Sequence, residues 1–260
     1  MKKSKATPGL RERLPLAPQR EEHFRWRGSE ISRVEGFTDA VFAFAVTLLV
    51  VALEVPHTFE GLLNVVRGFP AFVICFTFLM IFWNAHFRYH RRYGLDDVFT
   101  RVMTMAILVL LLFFVYPLKF LFTYLTVMWF HLDLADAPII NSSAQGRMLF
   151  LIYGLGFAGV WSLYGLLYAH ALRRRELLQL TEAEVIQTHS DLAQNLVYVG
   201  VCALSVVLAL TLPIEPHGGW YDSLPGLVYI LLGPLQTACG LWYGRRLRAY
   251  LKSAAVPTTG

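Results

Sequence analysis

The chain has 260 residues, of which 56% are apolar and only 16% charged, with a net charge of +5 and a mean hydropathy of +0.49. Soluble domains carry about a quarter charged residues, so this deficit excludes an ordinary water-bathed globule and points to a surface facing lipid. The basic residues stand in short clusters between apolar runs, which suits anionic headgroups better than a nucleic-acid footprint.

Residues 1–32 carry many Lys and Arg together with Pro8, Pro15 and Pro18, and no apolar core follows early enough for a secretory signal. They predict a flexible basic tail. A helix crosses a bilayer with roughly 20 apolar residues, and six stretches qualify: Phe37–Val55, Gly68–Phe87, Val102–Met128, Met148–Leu172, Leu192–Leu212 and Leu224–Gly244. The fold class is therefore an all-α integral membrane protein with six transmembrane helices. Its six-span unit spans 33–247, and a short tail follows at 248–260. The sequence shows no internal duplication.

Orientation follows from the loops, because Lys and Arg stay cytoplasmic. The N-terminal tail, the Arg88–Arg101 loop, the loop opening with Arg173, Arg174 and Arg175, and the end with Arg245, Arg246, Arg248 and Lys252 are basic. The other loops hold Glu54, Glu60, Asp133, Asp136, Glu215 and Asp222. Both termini are expected to be cytoplasmic.

The first span opens with Arg33-Val34-Glu35-Gly36-Phe37-Thr38-Asp39. A carboxylate at a helix start is favoured by the dipole, so Asp39 reads as a cap paired with Arg33 at the interface. Beyond it, Phe44, Leu48 and Val51 fall at i, i+4 and i+7 on one helical face, with Thr47 beside them. By itself such a stripe is an ordinary packing face. His86 and His90 also share a face, but no third ligand accompanies them, so no metal is expected. With Trp83 they suit a hydrogen-bonded cluster at headgroup depth.

Pro117 should kink the third span and Pro234 the sixth. Lys119 follows Pro117 in an overlong run, where a lysine snorkels toward the headgroups. The loop from His131 to Gln145 reads as irregular and extracellular; its Asn141-Ser142-Ser143 sequon has meaning only in a eukaryotic secretory pathway. Gly154-Leu155-Gly156-Phe157-Ala158-Gly159 matches G-x-G-x-x-G but lies inside a span, so it reads as close helix packing and not as a dinucleotide loop. Thr181 and Glu184 have capping-box spacing, which predicts a short surface helix before span five. Cys75, Cys202 and Cys239 lie in apolar runs and imply neither disulfides nor a metal site.

The start of the first span resembles the transmembrane protein 175 family, the endosomal and lysosomal potassium channels and their prokaryotic relatives. The hallmark Arg-x-x-x-Phe-Ser-Asp appears as Arg33, Phe37, Thr38 and Asp39, with Thr for Ser. The run ending Thr47-Leu48-Leu49-Val50, the pair Trp83 and His86, and Pro117 also look like the family pattern. The resemblance implies a potassium-permeable channel of a prokaryotic inner membrane. With one six-span repeat, it implies a homotetramer. It further implies that the first span lines the pore, with Phe44, Leu48 and Val51 as the apolar constriction and Thr47 adjacent. Arg33, Thr38, Asp39, Trp83 and His86 would hold that helix in place. Phe44 departs from the Ile or Leu usual in relatives. No cofactor beyond permeant K+, no enzymatic activity and no nucleic-acid partner are implied. The competing readings are a secondary transporter, proton-coupled through Asp39 and His86, and a non-transporting scaffold.

Overall fold

The computed structural model describes residues 20–21, 24–28, 30–51, 55–132, 134, 137–212 and 220–255. The short strands β1 (Arg20–Glu21) and β2 (Phe24–Arg25) pair antiparallel. They are followed by the helices α1 (Arg33–Val51), α2 (Phe59–Arg67), α3 (Phe69–Tyr93), α4 (Val98–Phe130), α5 (Ser143–Arg173) and α6 (Glu182–Thr211). A 3₁₀ turn at Trp220–Ser223, α7 (Leu224–Leu227), a second 3₁₀ turn at Val228–Leu231 and α8 (Leu232–Ala255) complete the order. Among the described residues, six spans are long and apolar enough to cross a membrane, the last running from Leu224 to Ala254.

Most spans start earlier or end later than hydropathy alone placed them, because local caps set the ends. Asp97 caps α4 by accepting from the Thr100 amide at 2.9 Å, and Ser142 caps α5 through the Gln145 amide. The Thr181–Glu184 capping box is formed, but it opens α6 itself and not a separate surface helix. No breaker lies between it and the apolar run, so the helix continues. The expected tail boundary at 248 also falls inside a helix, since α8 runs to Ala255. Pro117 sits within an unbroken α4. In the sixth span the break lies at Val228–Leu231, just upstream of Pro234, whose ring opposes the carbonyl one turn earlier.

Two apolar clusters hold α1 to its neighbours. One gathers Phe42 with Phe82, Tyr89, Tyr93, Ile107, Tyr164 and Leu167 near the start of α1. The other gathers Ala45 and Leu49 with Cys75, Leu79, Val115 and Leu118 toward its far end. The G-x-G-x-x-G run packs as small-residue stripes do. A Cβ on Gly156 would overlap the Phe114 ring of α4, and one on Gly154 would meet Val206 of α6 at 2.6 Å. The α8 helix lies against α6, and its span is the least buried of the six.

Candidate functional site

The first span is a helix with two faces, and its first turn is built by a pair that hydropathy hides. The Glu35 amide donates to Ser32 Oγ at 3.1 Å and the Ser32 amide to Glu35 Oε2 at 2.9 Å, a reciprocal capping box. The S-x-x-E pattern was present in the sequence as Ser32-Arg33-Val34-Glu35. It starts the helix at Arg33, so Asp39 stands seven residues in and is not a cap.

Burial alternates at helical period along α1. Glu35, Thr38, Phe42, Ala45 and Leu49 are buried against α3 and α4. Phe37, Ala40, Ala43, Phe44, Thr47, Val50 and Val51 are exposed, with Phe44 at 55% and Val51 at 68%. At 3.6 residues per turn, the middle of that exposed arc falls on Thr47 and Ala40 with Val51 beside them, while Phe44 and Ala43 lie toward opposite edges. Leu48 is half-buried and packs against the Ala45–Leu49 cluster. The i, i+4, i+7 stripe of Phe44, Leu48 and Val51 is therefore not uniformly open; Leu48 belongs to the flank. The Thr47 hydroxyl donates back to the Ala43 carbonyl at 2.9 Å, which fixes its rotamer and leaves the oxygen lone pairs outward.

The predicted anchoring residues separate into three groups. Trp83 Nε1 donates to Asp39 Oδ1 at 2.8 Å, joining α3 to α1, and the indole stacks on Phe87 at 5.6 Å. Thr38 and His86 are both buried, at 0% and 2% exposure, but neither Thr38 Oγ1 nor His86 Nε2 has a hydrogen-bond partner among the described residues. Arg33 is exposed and pairs with no described carboxylate, Asp39 included. The His86 and His90 rings lie 4.2 Å apart, and among the described residues no three His, Cys, Asp or Glu groups come together to hold a metal. Lys119 is half-buried within α4.

One charged group near the site was not anticipated. Arg91 Nε of α3 sits 3.8 Å from Glu35 Oε1, tying the capping box of α1 to the end of α3. Between the spans, Asp97 bonds His170 Nε2 at 2.6 Å besides its cap. Burial pushes its carboxyl up, but the hydrogen bonds from Thr100 and His170 outweigh that and hold it down at about 2.

A family model, endosomal/lysosomal potassium channel TMEM175, matches residues 33–117, the stretch that carries α1, Trp83 and His86. A potassium channel of Marivirga tractuosa is 33% identical over 236 residues, which cover 88% of this chain and 94% of that protein. The chain belongs to the TMEM175 family. A crystal structure of the potassium channel MtTMEM175, a variant in complex with a nanobody–MBP fusion, overlays with a TM-score of 0.77 at 31% identity. That overlay covers 87% of this chain and 99% of the channel. The lysosomal potassium-selective channel TMEM175 homolog from Chamaesiphon minutus shares the fold, with a TM-score of 0.50 at 21% identity over 84% of this chain and 98% of that one. The TMEM175 fold thus accounts for the six-span layout, and the family match begins at the residue where α1 begins.

Proposed function

We propose that this protein is a homotetrameric potassium channel whose four α1 helices surround a central pore, with both termini cytoplasmic, in a prokaryotic inner membrane. The observation that carries the reading is the two-faced α1. One side is locked into the subunit by Phe42, Ala45 and Leu49, and the other presents Ala40, Ala43 and Thr47 together with Phe44 and Val51. Small residues let helices approach closely. Four copies meeting on that face would leave a narrow passage lined by Thr47 hydroxyls and narrowed by Phe44 and Val51.

Apolar rings offer no oxygens to replace ion hydration, and such constrictions gate by dewetting. In this arrangement Thr47 supplies the polar contact and Phe44 the gate. Asp39 and Trp83 brace the helix from α3, and Thr38 and His86 fill the buried side beneath them. The Arg clusters at 88–101, 173–175 and 245–248 support the cytoplasmic placement of the termini.

The test is reconstitution of the purified protein in liposomes, with reversal potentials measured in opposed potassium and sodium gradients. A potential following potassium is expected, with an oligomer mass in detergent of four subunits. A monomer mass overturns the central pore. Stoichiometric dependence on a proton gradient would mark a transporter, and a silent protein a scaffold.

A further inference from the structure

Residues 1–19 of the expected tail lie outside the described residues, whereas the described residues 24–28 are packed against the bundle. Phe24 is 2% exposed, set edge-on against Tyr93 at 5.6 Å, with the Arg92 guanidinium 4.8 Å from its ring centre. The Trp26 ring meets Phe87 edge-on at 6.2 Å. The amides of Arg27 and Gly28 both donate to the Arg91 carbonyl at 3.1 Å, and Arg91 Nη1 donates back to the Gly28 carbonyl at 3.0 Å. The crossing is tight enough to dictate sequence on both sides. A Cβ on Gly28 would meet the His90 carbonyl at 2.5 Å, and Gly94, at φ +60°, lies where a Cβ would press the Arg27 backbone at 3.0 Å.

Arg27 then reaches α6. Its Nη2 pairs with Glu184 Oε2 at 2.7 Å and its Nη1 with Oε1 at 3.1 Å, a two-point grip on a carboxylate that is almost fully buried. Its Nε donates to the Leu178 carbonyl at 2.7 Å, and the Arg25 amide also donates to Glu184, at 2.8 Å. From Arg91 the contact continues to Glu35 in the capping box of α1.

We infer that residues 24–28 form a strap that positions the pore helix, with Arg27, Glu184, Arg91 and Glu35 as its positioning residues, so that α3 and α6 together fix the angle at which α1 runs into the bundle. The functional half of this rests on the channel reading above. A bend in the first turn of α1 is carried along a stiff helix to Thr47, four turns on, so releasing the strap shifts the face offered to the pore.

The experiment uses the full chain in liposomes, with Arg27→Gln at one end of the strap and Glu35→Gln at the other. Two readouts are taken: hydrogen exchange of the amides at residues 33–39, and the potassium-over-sodium permeability ratio. Both variants should keep the oligomer mass of the unaltered protein, exchange those amides roughly tenfold faster as local opening becomes easier, and change the permeability ratio by about threefold or more, since filter geometry sets selectivity. Arg27→Lys, which keeps the charge but loses the fork, should fall between. Unchanged exchange in both variants overturns the strap. Faster exchange with an unaltered permeability ratio overturns its link to the pore. If the unaltered protein passes no ions, the channel reading fails, and the exchange measurement still decides whether the strap holds α1.

Discussion

The two ends of α1 are held by different physics. The start carries a capping box, an Arg91–Glu35 contact, the Asp39–Trp83 hydrogen bond and the strap across α3. The far end, from Ala45 to Val51, is held within the chain by apolar packing on Leu79, Val115 and Leu118, and the following α2 buries none of its side chains. Directional polar bonds fix an angle; close-packed apolar contacts fix a depth. A helix secured this way is set in direction where it begins and in depth where the proposed constriction lies.

The largest expected effect comes from removing the packing at the far end. Leu49 is 1% exposed, and Leu49→Ala should lower stability by about 2–5 kcal/mol through the cavity it leaves. Thermal melting of the oligomer would check this. A loss under ~1 kcal/mol would mean that the far end is held elsewhere. On the exposed side, Phe44→Ile should leave melting unchanged and raise resting potassium flux roughly tenfold, because a smaller ring of side chains eases wetting of the constriction. Unchanged flux would remove Phe44 from the gate.

Effects at the start should be smaller, since several bonds share the load. Asp39→Asn keeps an acceptor for Trp83 but loses its charge, and should cost about 1 kcal/mol at most for a partly exposed bond. The smallest expected change is at Asp97. Its carboxyl is held at about 2, below the ordinary carboxylate range, so the stabilisation it gives is present above that range and is lost as pH falls toward 2. Asp97→Asn keeps an acceptor for the Thr100 amide but gives up the charged partner of His170, so it should lower neutral melting slightly and flatten that part of the acid-melting curve.

The spans were legible in the sequence because lipid exposure demands long apolar runs, and those runs depend on composition alone. The family was legible because Arg33, Phe37, Thr38 and Asp39 stand together in the chain. What could not be seen locally was where charge goes. Arg27 and Glu184 are 157 positions apart, and no periodicity connects them, so the segment read as a tail. The α6 helix was cut short because Gln187, His189 and Asp191 lower hydropathy; in the fold Asp191 pairs with Arg92, and Thr188 accepts from Tyr93 at 2.8 Å. Nine-residue α2 falls below span length and read as loop. The stripe of Phe44, Leu48 and Val51 was counted correctly, but only the packing of Ala45 and Leu49 shows that the open face turns toward Thr47.

The central claim is that the exposed face of α1 lines the ion path, and thiol accessibility tests it most directly. Cysteines placed singly at Thr47, Phe44, Ala45 and Leu49 would be treated with a charged thiol reagent while potassium flux is followed in liposomes. Unaltered protein serves as the control for Cys75, Cys202 and Cys239. Block at Thr47→Cys and Phe44→Cys, with none at Ala45→Cys or Leu49→Cys, is the predicted result. Block at Leu49→Cys with an indifferent Thr47→Cys would contradict it.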